Sequence, residues 1–315
     1  MSRSIRASIG IAGALLLFLV FSRGNPSVAN AARRPTPTPV VATPTPGPVP
    51  SGLRAGLRAS DYGISPFPSP SWWVNSIQSM ASRFPGSQGE QIAVVVETLG
   101  KKGTNQCWAH FPNPDPATTW PNVVFDDADE FESTFAAFDQ NGIRVWVQVE
   151  PARCDVPMLI DLVLRRYGSH PSVLGFGVDV EWYRKDLSRD GKAVTDSEAQ
   201  AWVAKARSDD AGYQVFLKHW LPEKMPPTYR DGLVFIDDSQ GFNSLAGMVG
   251  EFGAWGRTFA PSPVGFQFGY QADRKWWSKL SDPPRAIGNA LLSQVPNTSD
   301  LAWVDFTAYD IWPPG

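Results

Sequence analysis

The sequence predicts an α/β fold of the (β/α)₈ barrel class, the TIM-type barrel, and three observations predict it. Once a non-folding N-terminal stretch is set aside, about 260 residues remain, the usual size of such a barrel. Across them β-branched runs alternate with amphipathic segments, the mark of a parallel sheet covered by helices. The strand-like runs number eight, at which this barrel closes.

The strands are expected at Ala59–Ile64, Ile92–Glu97, Ile143–Glu150, Val173–Glu181, Tyr213–His219, Leu233–Asp237, Val264–Tyr270 and Leu301–Thr307. A helix over Asp127–Gln140 would carry Phe131, Phe135 and Phe138 on one face and stop at Gly142. The next, Val156–Tyr167, has Pro157 in its first turn and Gly168 past its end. Thr195-Asp196-Ser197-Glu198 reads as a capping box opening a helix that closes by Gly212. Asn243–Phe259 and Asp273–Leu280 supply two more. Leu221–Arg230 holds three prolines, so the barrel should be irregular between strands five and six. No helix is expected after the eighth strand.

The residues before the barrel read differently. Arg3 and Arg6 precede an apolar run from Ile9 to Phe21, too short to span a bilayer, which takes roughly 20 residues. With Ala29-Asn30-Ala31 after it, this reads as a secretory signal over residues 1–31, an uncleaved anchor being the alternative. Residues 32–55 are rich in proline and threonine and should form an extended linker, leaving 56–315 as the barrel. The expectation is therefore a secreted or envelope-associated protein with no membrane segment after cleavage, and a monomer.

A net charge of −3 argues against a nucleic-acid partner, whose binders need a basic face. Cys107 and Cys154, the two cysteines of an exported chain, each follow a predicted strand and are expected to pair. Thirteen Trp is an unusual number; several should be core, and tryptophan near strand ends also stacks on sugar rings.

Polar side chains recur where strands end, and barrel active sites form at the C-terminal end of the strands. They are Glu97, Glu150, Asp179, Glu181, Lys218, His219, Asp237, Asp238, Gln240, Gln267, Tyr270, Trp303 and Asp305. Alternation turns Trp146, Gln148 and Glu150 into the barrel, with Gly175, Gly177, Asp179 and Glu181 on the next strand. Asp179 and Glu181 share a face about 6.5–7 Å apart, so one carboxyl should keep its proton near neutral pH. An acid beside an anion is the pair that glycosidic cleavage needs. The competing reading is an ion pair with Lys218 or Arg184.

Leu174-Gly175-Phe176-Gly177-Val178-Asp179-Val180-Glu181-Trp182 resembles the strand-four signature of the family 18 chitinases, Asp-Gly-x-Asp-x-Asp-x-Glu. Gly175, Asp179 and Glu181 match it; Leu174 and Gly177 stand in place of its first two aspartates. The resemblance implies Glu181 as general acid/base and Asp179 as its electrostatic partner, orienting a substrate N-acetyl group. A second likeness, to the family 25 lysozymes, rests on the same Asp-x-Glu with Asp61, Gln267 and Asp305. Both imply a glycan containing N-acetylhexosamine.

The leading expectation is a secreted glycoside hydrolase. Tyr270, Gln267 and Asp237 would position the sugar, and Trp182, Trp220 and Trp303 would form stacking walls. Glu150, Asp237 and Asp305 are candidates for a second carboxylate. One alternative is a carbohydrate-binding barrel without catalysis. Another is a metal-dependent hydrolase or deacetylase using His219, Asp237, Asp238 and Glu150. The chain has three His and no His-x-His or His-x-x-x-His spacing, so neither a metal nor another cofactor is expected.

Overall fold

The computed structural model describes residues 50–98 and 106–314. The expected signal and the linker up to residue 49 lie outside the described residues.

Eight parallel strands close on themselves. They are β1 (Arg54–Ala59), β2 (Gln88–Glu97), β5 (Arg144–Val149), β6 (Val173–Asp179), β7 (Gln214–Lys218), β8 (Leu233–Asp237), β9 (Val264–Phe268) and β10 (Thr298–Trp303). Neighbours in sequence pair in turn around the ring, and β1 bonds both β2 and β10, which closes it. Two short strands were not expected: β3 (Cys107–Ala109), antiparallel to β2, and β4 (Val123–Phe125), parallel to β3. Eight α-helices lie among the described residues: α1 (Pro70–Ala81), α2 (Glu132–Asn141), α3 (Val156–Tyr167), α4 (Asp196–Asp209), α5 (Leu245–Phe259), α6 (Arg274–Trp277), α7 (Pro283–Gln294) and α8 (Ala308–Ile311). None is long and apolar enough to cross a membrane.

Local chemistry accounts for the helix starts. Ser69 accepts from the Trp72 amide ahead of Pro70, Asp155 accepts from the Met158 amide at 3.0 Å, and Thr195 and Glu198 form the expected capping box. As expected, β7 and β8 are joined without an α-helix; a 3₁₀ turn at Pro222–Lys224 is the regular structure there.

The first strand lies five residues before its expected position and begins inside the expected linker. Leu53, Ala55, Leu57 and Ala59 alternate outward into the helical layer, all 0 % exposed. Arg54 and Arg58 point the other way, so charged residues inside the barrel hid the strand. The last strand likewise ends at Trp303. Asp305–Thr307 is a 3₁₀ turn, and the four-residue α8 follows where no helix was expected.

The barrel interior is filled by Ile92, Trp146, Phe216, Val234, Ile236 and Ala302. Trp146 and Phe216 meet edge to face with ring centroids 5.4 Å apart. Two glycines make room for them. A Cβ on Gly177 would stand 2.1 Å from the Phe216 ring, and one on Gly175 2.7 Å from Trp146. Below this layer Arg54 makes two hydrogen bonds to Asp300 at 2.8 and 3.0 Å, and Trp146 donates to Asp300 at 3.1 Å. This bottom is sealed by a charge pair, which leaves the opposite end as the mouth.

Cys107 and Cys154 form the expected disulfide, tying β3 to the loop between β5 and α3. A closed loop of 47 residues stabilises the fold by about 4 kcal/mol in the chain-entropy picture.

Candidate active site at the barrel mouth

Asp179 is the last residue of β6 and 1 % exposed. Its carboxylate lies 2.8 Å from the Lys218 ammonium at the end of β7 and accepts at 3.5 Å from Gln148 of β5. Lys218 also pairs with Asp238, just past β8. One ammonium thus serves two buried carboxyls. Burial pushes Asp179 up to about 8; Lys218 pulls it down, and the negative charges of Glu181, Asp238 and Glu150 push it up again. The cation can neutralise one carboxylate, and the other keeps its proton. Lys218 itself is held above its ordinary value by Asp179 and Asp238, which outweigh its burial. Of the two readings weighed for Asp179, the ion pair with Lys218 is present, whereas Arg184 binds Asp186 at 3.1 Å.

Glu181 is not on the strand. After Asp179 the chain turns into a 3₁₀ turn, Val180–Trp182, whose first free amide, that of Glu181, donates to Asp179 Oδ1 at 3.2 Å. The two carboxyls therefore do not follow strand alternation. Glu181 sits on the rim with its side chain 27 % exposed, 3.2 Å from Lys185 Nζ. That ammonium also lies 3.7 Å from the centre of the Trp182 ring.

Across the mouth, Arg58 at the end of β1 donates to Asp305 Oδ1 at 2.7 Å and to Ser60 Oγ at 3.0 Å. Ser60 donates to the other oxygen of Asp305. Tyr62 accepts from Arg58 and donates to Glu150, whose second oxygen accepts from the Thr98 amide at 2.7 Å. The Arg58 guanidinium lies over the rings of Tyr62 and Phe306, 5.2 and 5.4 Å from their centres. Phe306 is 43 % exposed and leans on Tyr270. Sequence reasoning missed Arg58, Ser60, Tyr62 and Phe306. The Arg-x-Ser-x-Tyr run was the available signal, hidden by the misplaced first strand.

Several expected site residues do other work. Trp303 is wholly buried among Phe268, Trp277 and Trp312 and donates to Thr307 at 3.0 Å, so it forms no stacking wall. It lies beneath Gly269, where any side chain would strike its ring. Asp237 accepts from the Ser239 amide at 2.8 Å and closes a turn; burial, the largest influence, raises its carboxyl. His219 is engaged on both ring nitrogens, by the Asp190 carbonyl at 2.8 Å and the Leu221 amide at 2.9 Å. It therefore cannot join Asp237, Asp238 and Glu150 as a metal ligand. Gln267 is buried and accepts from Tyr270 at 3.3 Å.

Trp220, Asp238, Ser239, Gln240 and Glu251 line a cavity of about 290 Å³ beside Lys218. Asp238 Oδ1 and Ser239 Oγ are buried there without a hydrogen-bond partner among the described residues. Such groups are costly unless something binds them.

On the β1–β3 side stands a second cluster. Atoms of Asp61, Glu97 and His110 all lie within 4.8 Å of one another. Asp126 and Glu130 flank the imidazole, at 3.1 and 3.6 Å from Nδ1. Glu97 was expected on the rim; His110 was not singled out.

No protein-family model matches the chain, and no curated protein matches it. A β-glucuronidase of an uncultured Clostridium sp. is similar in structure with TM-score 0.47 and 8 % identity, over 83 % of this chain and 46 % of that one. A putative lyase/mutase from Burkholderia cenocepacia gives TM-score 0.43 and 12 % identity, over 84 % of this chain and 80 % of that one. The chain thus spans less than half of the glucuronidase chain. Both likenesses are too loose to bear on chemistry. Neither family 18 nor family 25 is confirmed. The second aspartate of the family 18 signature has no room at Gly177, where Phe216 fills the space.

Proposed function

We propose that the chain is an exported glycoside hydrolase acting on a polysaccharide, with Glu181 as general acid/base and Asp179 as its electrostatic partner. The observation that carries this reading is the arrangement at the end of β6. A reachable carboxyl, Glu181, follows two residues after a buried one, Asp179, whose proton is retained chiefly through burial, which the Lys218 ammonium shared with Asp238 offsets only in part.

In the reaction Glu181 gives a proton to the glycosidic oxygen as the bond to the anomeric carbon breaks. Water then adds to that carbon and returns a proton to Glu181. Trp182, Trp220 and Phe306 offer rings at the rim for the sugar, and Asp238, Ser239 and Gln240 offer polar atoms. Glu150, Asp237 and Asp305 are each 1 % exposed or less and hydrogen-bonded, which speaks against a nucleophile from this set. Water, or an N-acetyl group of the substrate, is the attacking oxygen that fits.

One observation favours a second reading, a carbohydrate-binding barrel without turnover. The Lys185 ammonium, 3.2 Å from Glu181, occupies the carboxyl that catalysis would need free to meet the glycosidic oxygen.

The test is release of reducing ends by the full chain from a panel of polysaccharides, including chitin and peptidoglycan, with binding followed in parallel. Release supports the hydrolase; saturable binding without release selects the second reading; neither overturns both.

A further inference from the structure

Several places remain outside that chemistry: the charge pair closing the barrel bottom, the cavity beside the disulfide, and the cluster around His110. The last carries an inference, and it does not depend on the glycan reading.

Three separate segments converge there. Asp61 lies in the turn after β1, Glu97 ends β2, and His110 follows β3 directly. Pairing fixes their approach, since β1 and β3 both bond β2, with Glu97 opposite Trp108 and the His110 amide donating to the Val95 carbonyl at 3.0 Å. His110 is 2 % exposed. Its Nδ1 is held by Asp126 Oδ2 at 3.1 Å, and Asp126 is itself anchored by its amide on the Ala109 carbonyl at 3.0 Å. A carboxylate on Nδ1 sets the tautomer that leaves a lone pair on Nε2, the arrangement that supports metal-binding histidines.

That lone pair points into the cluster. Nε2 makes no hydrogen bond among the described residues and stands 3.4 Å from Glu97 Oε2. Burial lowers the imidazole, but Glu97, Glu130 and Asp126 outweigh it and hold it above its ordinary value, so the gap between Nε2 and Glu97 suits either a proton or a metal cation in its place. Metal–ligand bonds of roughly 2.0–2.2 Å put ligand atoms about 3–4.5 Å apart around one ion. The three donors, within 4.8 Å of one another, match that spacing.

We propose that Asp61, Glu97 and His110 form a binding site for a divalent first-row transition ion of the Zn²⁺ or Mn²⁺ class. The imidazole selects this class over Ca²⁺ and Mg²⁺, which prefer oxygen alone. Asp126 is the positioning residue behind His110. The sequence spacing gave no sign of the site, because its ligands come from three segments and only one is a histidine.

The test is calorimetric titration of the untagged, chelator-stripped full chain with Zn²⁺, Mn²⁺, Ca²⁺ and Mg²⁺ separately. The site predicts one Zn²⁺ or Mn²⁺ per chain, bound more tightly than Ca²⁺ or Mg²⁺. His110→Ala should weaken this by about 100-fold or more, and Asp126→Asn by about 10–100-fold. Because either variant could misfold, wild-type melting is read as well. Saturating Zn²⁺ or Mn²⁺ should raise Tm, since a ligand bound only by the folded state stabilises it. No uptake of either ion at about ten times the protein concentration, with Tm unmoved, overturns the proposal. So does equal affinity in a folded His110→Ala chain, or a preference for Ca²⁺.

Discussion

Replacing Glu181 by glutamine is expected to lower turnover of the chain's glycan by about 10²–10⁴-fold, the usual contribution of a positioned general acid. The amide keeps the size and polarity of the carboxyl and removes only its proton chemistry. Stability should barely move. The side chain is 27 % exposed, and its pairing with Lys185 is a partly solvated salt bridge on the rim, worth about 1 kcal/mol or less. Sugar binding should also survive, because Trp182 and Trp220 are untouched. Initial rates of reducing-end release, measured beside a melting curve, check the expectation. A variant with undiminished turnover removes Glu181 from the chemistry, whatever the barrel binds.

Lys218→Met should act in the opposite way, on stability first. Lys218 is 4 % exposed and supplies the positive charge between Asp179 and Asp238. Methionine fills similar space but leaves two buried carboxyls without their cation. Breaking a buried ion pair by removing one partner costs about 3–5 kcal/mol. In a domain of this size that lowers Tm by roughly 6–20 °C. The loss should be smaller in acid than at pH 8, since protonating the stranded carboxyls removes their charge. Urea unfolding at two pH values measures both effects. A change under about 1 kcal/mol at pH 8 would mean that the ammonium does not hold the mouth together.

Much of the fold was legible because its signals were periodic or local. The Val145-x-Val147-x-Val149 alternation fixed both faces of β5, and the capping box at Thr195 fixed the start of α4. The terminal strands were misplaced for one shared reason. Arg54, Arg58, Asp300 and Asp305 are charged residues turned inward to pair with one another, so the inner face of β1 and of the β10 region carries charge where a buried strand is expected to be apolar. The pairing of Arg58 with Asp305 spans 247 positions, and no local window contains it.

The site was legible only in part. Recurrence of polar residues at strand ends picked out Asp179 and Lys218, which the fold brings together at the C-terminal end of the barrel. It could not tell a rim residue from a buried one. Trp303 and Glu181 were both assigned to the rim by their place near a strand end, yet Trp303 went into the core and Glu181 onto a 3₁₀ turn. Nor could it find His110, whose value lies in what surrounds each ring nitrogen.

The account depends most on a proton that Asp179 retains at neutral pH. Burial, opposed by Lys218, lifts its folded value to about 8, against about 3.9 for an unfolded chain. Between those values the folded state holds a proton that the unfolded state has released. Asp179 therefore contributes most below about pH 4, and its contribution is lost as pH rises through about 8. The most direct measurement is the unfolding free energy of the wild type and of Asp179→Asn from pH 4 to 9. The account predicts a wild type that loses stability relative to the variant as pH rises, levelling off above about pH 8. A difference that stays flat, or that grows in the wild type's favour with rising pH, would contradict it.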